Sequence, residues 1–209
     1  MRYLNGWPLL GLLTILLFIW TGWTVLAGPD AVEATRTAIR LTARTSLVLF
    51  VLAFVASGLA RLWPGRATGW LLRNRRMFGL SFVVSHLLHA AVLVRLWRLD
   101  PVLFDTLTNT VSFIAGGTCY AVILALGITS LHPVRRRMGP RAWQRLHSFG
   151  VWFIWLFFLI NFGRRAAMNG MYWPAMLIIG LALVLRLWGR ARPGTVPAAP
   201  ADSGSMLRS

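Results

Sequence analysis

The chain has 209 residues, of which 57% are hydrophobic and only 13% are charged. This balance excludes an ordinary soluble domain and is typical of an integral membrane protein. The formal net charge of +17 would favour nucleic-acid binding in a soluble chain, but here the arginines gather in alternate loops instead of forming one basic face, so we expect no nucleic-acid partner.

Apolar runs of about 17 to 25 residues predict an all-α bundle of six transmembrane helices, at residues 7–27, 45–63, 77–97, 111–131, 143–162 and 171–188. The first run is longer than the core of a signal peptide, so we expect it to stay in the protein. Arginines every four residues predict a short surface helix over residues 32–45. Residues 1–188 form one membrane domain, and the Pro/Ala/Gly/Ser-rich residues 189–209 predict a disordered cytoplasmic tail.

The distribution of arginines predicts the orientation of these spans. One side carries fifteen of them, at positions 2, 61, 66, 73, 75, 76, 135–137, 141, 145, 186, 190, 192 and 208. The other side carries seven, at positions 36, 40, 44, 95, 98, 164 and 165, together with four of the five acidic residues. The positive-inside rule therefore predicts that both termini are cytoplasmic.

Three histidines are the candidate functional residues inside the membrane. His86 and His89 lie in the middle of the third span, where an ionisable ring needs a partner, and their spacing puts both on one helix face. His147 opens the fifth span, so imidazoles from two helices could hold a flat cofactor, with haem as the first candidate. The alternative is that they are packing histidines bonded to neighbouring helices. His132, beside a proline at a helix end, is a weaker candidate.

The rest of the sequence limits the chemistry. A single cysteine, Cys119, excludes a disulfide, a CxxC pair and a CxxCH haem attachment within this chain. No acidic residue lies inside a span, which disfavours a transporter. Arginines cluster near His147, where guanidinium groups could clamp haem propionates or a flavin phosphate, unless they serve topology alone. They are Arg75, Arg76, Arg141 and Arg145.

Three segments resemble the ferric-reductase-like transmembrane family. They are Arg-Arg-Met-Phe-Gly-Leu at 75–80, Arg-Arg-Met-Gly-Pro-Arg-Ala-Trp-Gln-Arg-Leu-His at 136–147, and Thr-Ala-Arg-Thr-Ser-Leu at 42–47. The closest similarity is to the bacterial branch that supplies the haem-binding subunit of a periplasmic methionine sulfoxide reductase system. The resemblance covers nearly the whole chain apart from the tail.

The resemblance implies a multi-pass protein of the bacterial inner membrane that binds haem b. Such a subunit takes electrons on the cytoplasmic side, from quinol or a flavin reductase, and passes them to a periplasmic reductase partner. Flavin or quinone is then a further candidate cofactor. The chain would be an electron-transfer subunit of an oxidoreductase system without catalytic residues of its own. The alternative function is a haem-less membrane scaffold or assembly protein that retains the fold.

The resemblance also assigns metal-ligand roles to His89 and His147, but with one departure. The family usually carries another histidine thirteen residues after His147, where this chain has Ile160. By the helical rise, His89 lies about 18 Å deep whereas His147 lies near the surface. We expect one haem, with His147 paired to His86 or His89, and with Arg75, Arg76 and Arg145 as further cofactor-binding residues.

Overall fold

The computed structural model describes residues 4–191, which are almost entirely helical and contain no strand. The eight α-helices in this part of the chain are α1 (Trp7–Leu26), α2 (Ala31–Leu62), α3 (Arg66–Leu99), α4 (Pro101–Leu107), α5 (Thr110–Thr129), α6 (His132–Met138), α7 (Pro140–Met168) and α8 (Trp173–Ala191). A single 3₁₀ turn, Gly170–Tyr172, joins α7 to α8.

Six helices are long and apolar enough to cross a membrane, namely α1, α2, α3, α5, α7 and α8. The predicted six-helix bundle and the number of spans are therefore confirmed. The short helices α4 and α6 connect spans at opposite ends of the bundle. We call the end with α6 and the α2–α3 loop the basic end, because most of the described arginines lie there.

Two predicted boundaries were wrong in the same way. Residues 32–45 do not form a separate surface helix but are the first turns of α2, which has 32 residues. The arginines at 66, 73, 75 and 76 belong to the 34-residue helix α3 instead of a loop. At 1.5 Å per residue both helices exceed the hydrocarbon core of about 30 Å. Neither polar stretch contains a proline, so nothing ends the helix there.

The centre of the bundle is the antiparallel pair α2 and α3, which make the most extensive contact in the fold. Helix α8 packs on α2, α1 packs on both, and α5 and α7 close the remaining side. Small hydroxyl residues let the central pair approach closely: Ser85 contacts Ser46 at 2.9 Å and Thr45 at 3.1 Å between side-chain oxygens. Next to them, the Phe50 ring packs against those of Phe54, Phe82 and Phe158 in tilted arrangements, at centroid distances of 5.4 to 5.5 Å.

One further prediction concerns the C-terminal tail at residues 189–209. Helix α8 continues to Ala191, so the first residues of the predicted tail are helical. The rest of that tail lies outside the described residues.

Candidate functional site

A cleft opens between four helices in the half of the bundle away from the basic end. Its cavity volume is about 170 Å³, and it is open on one side. This volume is below the usual range of about 300 to 1,000 Å³ for small-molecule and cofactor sites, so a cofactor would also occupy the open side. Its polar or charged lining residues come from α2, α3, α5, α7 and the 3₁₀ turn, and they are Arg40, Arg44, His86, His89, Tyr120, Asn161, Arg165 and Tyr172.

The His89 ring is held in a defined orientation by Thr42. The Thr42 hydroxyl oxygen lies 2.8 Å from the Ala38 carbonyl oxygen and 2.9 Å from His89 Nδ1. A hydroxyl has one hydrogen, which is directed to the carbonyl, so its lone pair accepts the Nδ1–H of His89. The neutral ring then carries its free lone pair on Nε2. This is the arrangement that a metal-ligating histidine requires, with the second nitrogen fixed by a hydrogen bond.

His86 lines the same cleft one turn earlier on α3. The two histidine rings are 5.4 Å apart between centroids, which confirms that they share a helix face. The His86 side chain is buried, and its Nδ1 has no hydrogen-bond partner. Because buried polar atoms in native proteins are nearly always bonded, this orphaned nitrogen marks the cleft as a place where a ligand or water completes the structure.

His147 lies far from this pair. Its Nε2 is 3.0 Å from the Thr129 hydroxyl, and its ring stacks on Trp143 at 4.2 Å between centroids. On the same helix, the Phe158 ring lies 6.2 Å from the His86 ring between centroids. Phe158 is eleven positions after His147, which corresponds to a rise of about 16 Å along α7. This separation argues against the expected pairing of His147 with His86 or His89 on one iron.

The arginines predicted to bind cofactor also lie away from the cleft. Arg76 Nη1 is 3.2 Å from His132 Nδ1, and its guanidinium lies over the Trp7 ring at 5.6 Å. Arg75 and Arg145 are exposed near the same basic end. The structure therefore brings His86 and His89 together but leaves His147, Arg75, Arg76 and Arg145 at the other end of the bundle.

Other arginines line the open mouth of the cleft instead. Arg44 and Arg165 both lie close to Tyr172, each with its guanidinium carbon 5.9 Å from the ring centroid. Neither forms an ion pair with a carboxylate among residues 4–191, whereas Arg40 pairs with Glu33. The regular spacing of arginines on α2 could have indicated Arg40, but no sequence pattern indicated Arg165.

Two further cleft residues were missed. The Tyr120 ring lies 5.0 Å from that of His86, and its hydroxyl is buried without a partner. Asn161 lies at the exposed edge and donates from Nδ2 to the Phe157 carbonyl at 2.8 Å. Ile160 is 52% exposed and does not line the cleft. Asn161, one position after the expected histidine, lines the cleft instead, next to Phe158 and Phe162 on α7.

Comparison with known families supports an assignment of the membrane domain. The family model described as "Ferric reductase like transmembrane component" matches residues 40–158, which is more than half of the chain. The matched segment includes Thr42, both cleft histidines and His147.

Individual relatives are similar over different lengths. A protein-methionine-sulfoxide reductase heme-binding subunit MsrQ of Ralstonia nicotianae is 28% identical over 195 residues, which is 90% of this chain and 87% of that protein. The MsrQ of Azospira oryzae is 36% identical over 81 residues, which is 37% of this chain and 34% of that protein. The MsrQ of Klebsiella pneumoniae is 27% identical over 134 residues, which is 63% of this chain and 65% of that protein. No solved structure matches the chain significantly.

Proposed function

The chain belongs to the ferric-reductase-like transmembrane family, and from that premise we propose that it is a haem-binding membrane subunit that passes electrons to a reductase partner. The proposal agrees with the names of its relatives, which are heme-binding subunits of a protein-methionine-sulfoxide reductase. The observation that carries it is the His89 ring, fixed by Thr42 so that Nε2 is free at the cleft.

The residues of the cleft fit a haem on three counts. His89 offers an oriented nitrogen, and the unpartnered Nδ1 of His86 lies in the same wall. The buried rings of Phe158 and Phe162 supply an apolar wall, as the macrocycle requires. Since the one cysteine precludes thioether attachment, the haem is of b type, held by ligation and packing.

The mouth of the cleft suits the charged edge of the cofactor. Arg44 and Arg165 are free of carboxylate partners in the described part of the chain and lie close to Tyr172. Guanidinium groups bind carboxylates through paired hydrogen bonds. These two residues, and not Arg75, Arg76 or Arg145, are therefore proposed to hold the propionates.

The bound haem supplies a one-electron couple of its iron, and the protein sets the properties of that couple. In this cleft His89 would supply a nitrogen to the iron, Thr42 would fix the orientation of that ring, and the phenylalanines would limit access of water. Burial and ligand identity are the means by which such a site sets its reduction potential.

The arginine distribution supports an orientation of the cleft relative to the two membrane faces. With the basic end cytoplasmic, the cleft mouth faces the periplasm of a bacterial inner membrane. The reductase partner is then expected at the mouth beside Arg44 and Arg165, and the electron donor, a quinol or a flavin reductase, supplies electrons from the cytoplasmic side.

The experiment compares three single variants purified in detergent. His89→Ala is expected to lose the reduced b-type absorption bands, because it removes the oriented ligand. His132→Ala, an exposed histidine at the basic end, is the matched control and should keep them. His147→Ala should also keep them, because its ring lies about 16 Å from the cleft along α7.

Two outcomes would contradict this assignment. Unchanged bands in a folded His89→Ala protein would exclude His89 as the ligand. A colourless wild-type preparation, from cells supplied with haem, would instead favour the scaffold alternative.

A further inference from the structure

We infer that a haem held in this cleft takes one imidazole from the protein and leaves its second axial position open to a small exogenous ligand. This inference rests on the proposed haem function. It follows from the positions of the chain's four histidines, all of which lie among the described residues.

His86 is not placed to complete the coordination by His89. Two axial imidazoles approach one iron from opposite faces of the porphyrin, each with a nitrogen about 2 Å away, as in other metal–imidazole bonds. His86 and His89 stand one turn apart on α3, and their rings lie side by side, 5.4 Å between centroids and 31° between planes. Both therefore approach the cleft from the same wall.

No histidine comes from the facing wall. The α7 residues that line the cleft include no histidine, and Ile160 is half exposed and does not line it. These lining residues are Phe157, Phe158, Asn161, Phe162 and Arg165. His147 lies about 16 Å further along the helix, and His132 is at the basic end. None of the described methionines lines the cleft, so a methionine axial ligand is not available either.

The open side of the cleft has both access and polar groups for a small ligand. Asn161 lies at its exposed edge, and only one Nδ2 hydrogen is used by the Phe157 carbonyl. The Tyr120 hydroxyl is buried without a partner. Beside it, a Cβ added at Gly116 would meet nothing within 4 Å, so α5 leaves free space here. Access and hydrogen-bond donors next to an open position decide whether haem binds small ligands.

The test is carbon monoxide binding to the dithionite-reduced, haem-loaded protein, together with EPR spectra of its ferric state. We expect a carbon monoxide difference spectrum that involves nearly all of the haem, and a high-spin ferric signal. Wild-type protein that contains haem but is entirely low-spin and does not bind carbon monoxide would overturn the inference. Protein without haem would instead contradict the proposed function, so the two failures are distinguishable.

Adjacent variants on α7 test the geometry directly. Asn161→His should supply the missing imidazole, convert the ferric spectrum to low-spin and abolish carbon monoxide binding. Ile160→His places the same side chain one residue earlier, on the exposed surface, and should behave as wild type. If the Ile160→His variant becomes low-spin while Asn161→His does not, the assigned orientation of α7 is wrong.

The Tyr120→Phe variant tests whether the second axial position is open or is occupied by the Tyr120 phenol. The variant and the wild type should both form the carbon monoxide complex, the variant with a changed affinity because it lacks the hydroxyl. If only the variant binds it, Tyr120 is the second ligand and the inference fails.

Discussion

At the scale of single residues, the orientation of His89 depends on a hydroxyl that belongs to another helix. Thr42 donates to the Ala38 carbonyl and accepts from His89 Nδ1, so one α2 side chain fixes both the tautomer and the ring plane of an α3 ligand. In metal sites such outer contacts typically change metal affinity by about 10- to 100-fold when they are removed.

Replacement of Thr42 by valine tests this contact. Thr42→Val keeps the shape of the side chain but removes the hydroxyl, so we expect haem to be held about tenfold more weakly, in line with other outer contacts. Haem transfer to an excess of a soluble haem-binding apoprotein measures this. Thr118→Val is the control, since that hydroxyl is exposed and donates to the Ile114 carbonyl of its own helix. Equal retention in both variants would show that Thr42 does not orient the ligand.

The sequence predicted some of these residues for sound physical reasons and could not predict others. Helical periodicity alone puts His86 and His89 on one face, as the structure confirms. The same arithmetic already indicated that His147 and His89 are not level, so the expected pairing required a strong tilt or a deeper start of the fifth span. Tyr120 is a single polar residue in an apolar run and has no spacing pattern. Which of Ile160 and Asn161 faces the cleft depends on the rotation of α7, which is set by packing.

At the scale of helices, the contact of α2 with α8 depends on two glycines. A Cβ at Gly58 would lie 2.5 Å from the Leu185 carbonyl oxygen, and one at Gly189 would lie 2.4 Å from Gly58 Cα. The two backbones therefore touch, as small residues permit in membrane bundles. On the same α8 helix, Arg186 donates from Nη1 to the Phe54 carbonyl at 2.6 Å and ties the pair further.

Gly58→Ala should therefore force the helices apart and destabilise the bundle. Overpacking of this kind typically costs about 1 to 3 kcal/mol, and the expected result is a lower midpoint of thermal unfolding in detergent. Gly180→Ala is the matched control on α8, because nothing lies within 4 Å of its added Cβ. A midpoint for Gly58→Ala equal to that of wild type would contradict the close contact.

The helices themselves were largely predictable because lipid permits few alternatives. A long apolar run must form a helix in order to satisfy its backbone groups, and six such runs gave six spans. The boundaries of α2 and α3 were not predictable from hydropathy, since their polar first turns continue the helix beyond the apolar segment.

At the scale of the whole molecule, the bundle carries two separate groups of arginines. Most of the exposed arginines lie at the basic end, which the positive-inside rule predicts to be cytoplasmic, while Arg44 and Arg165 lie at the other end, beside the cleft. Counting arginines on each side therefore predicts an orientation but does not indicate the cofactor site. Because His86 and His89 line one cleft among the described residues, we predict one haem per chain.

Haem stoichiometry is the most direct test of this account. A pyridine haemochromogen assay on purified wild-type protein, with the protein measured by quantitative amino-acid analysis, should approach one b-type haem per chain. Two haems per chain would require a second site, with His147 as the first candidate ligand. A protein that takes up no haem would contradict the central claim that the His86–His89 cleft binds this cofactor.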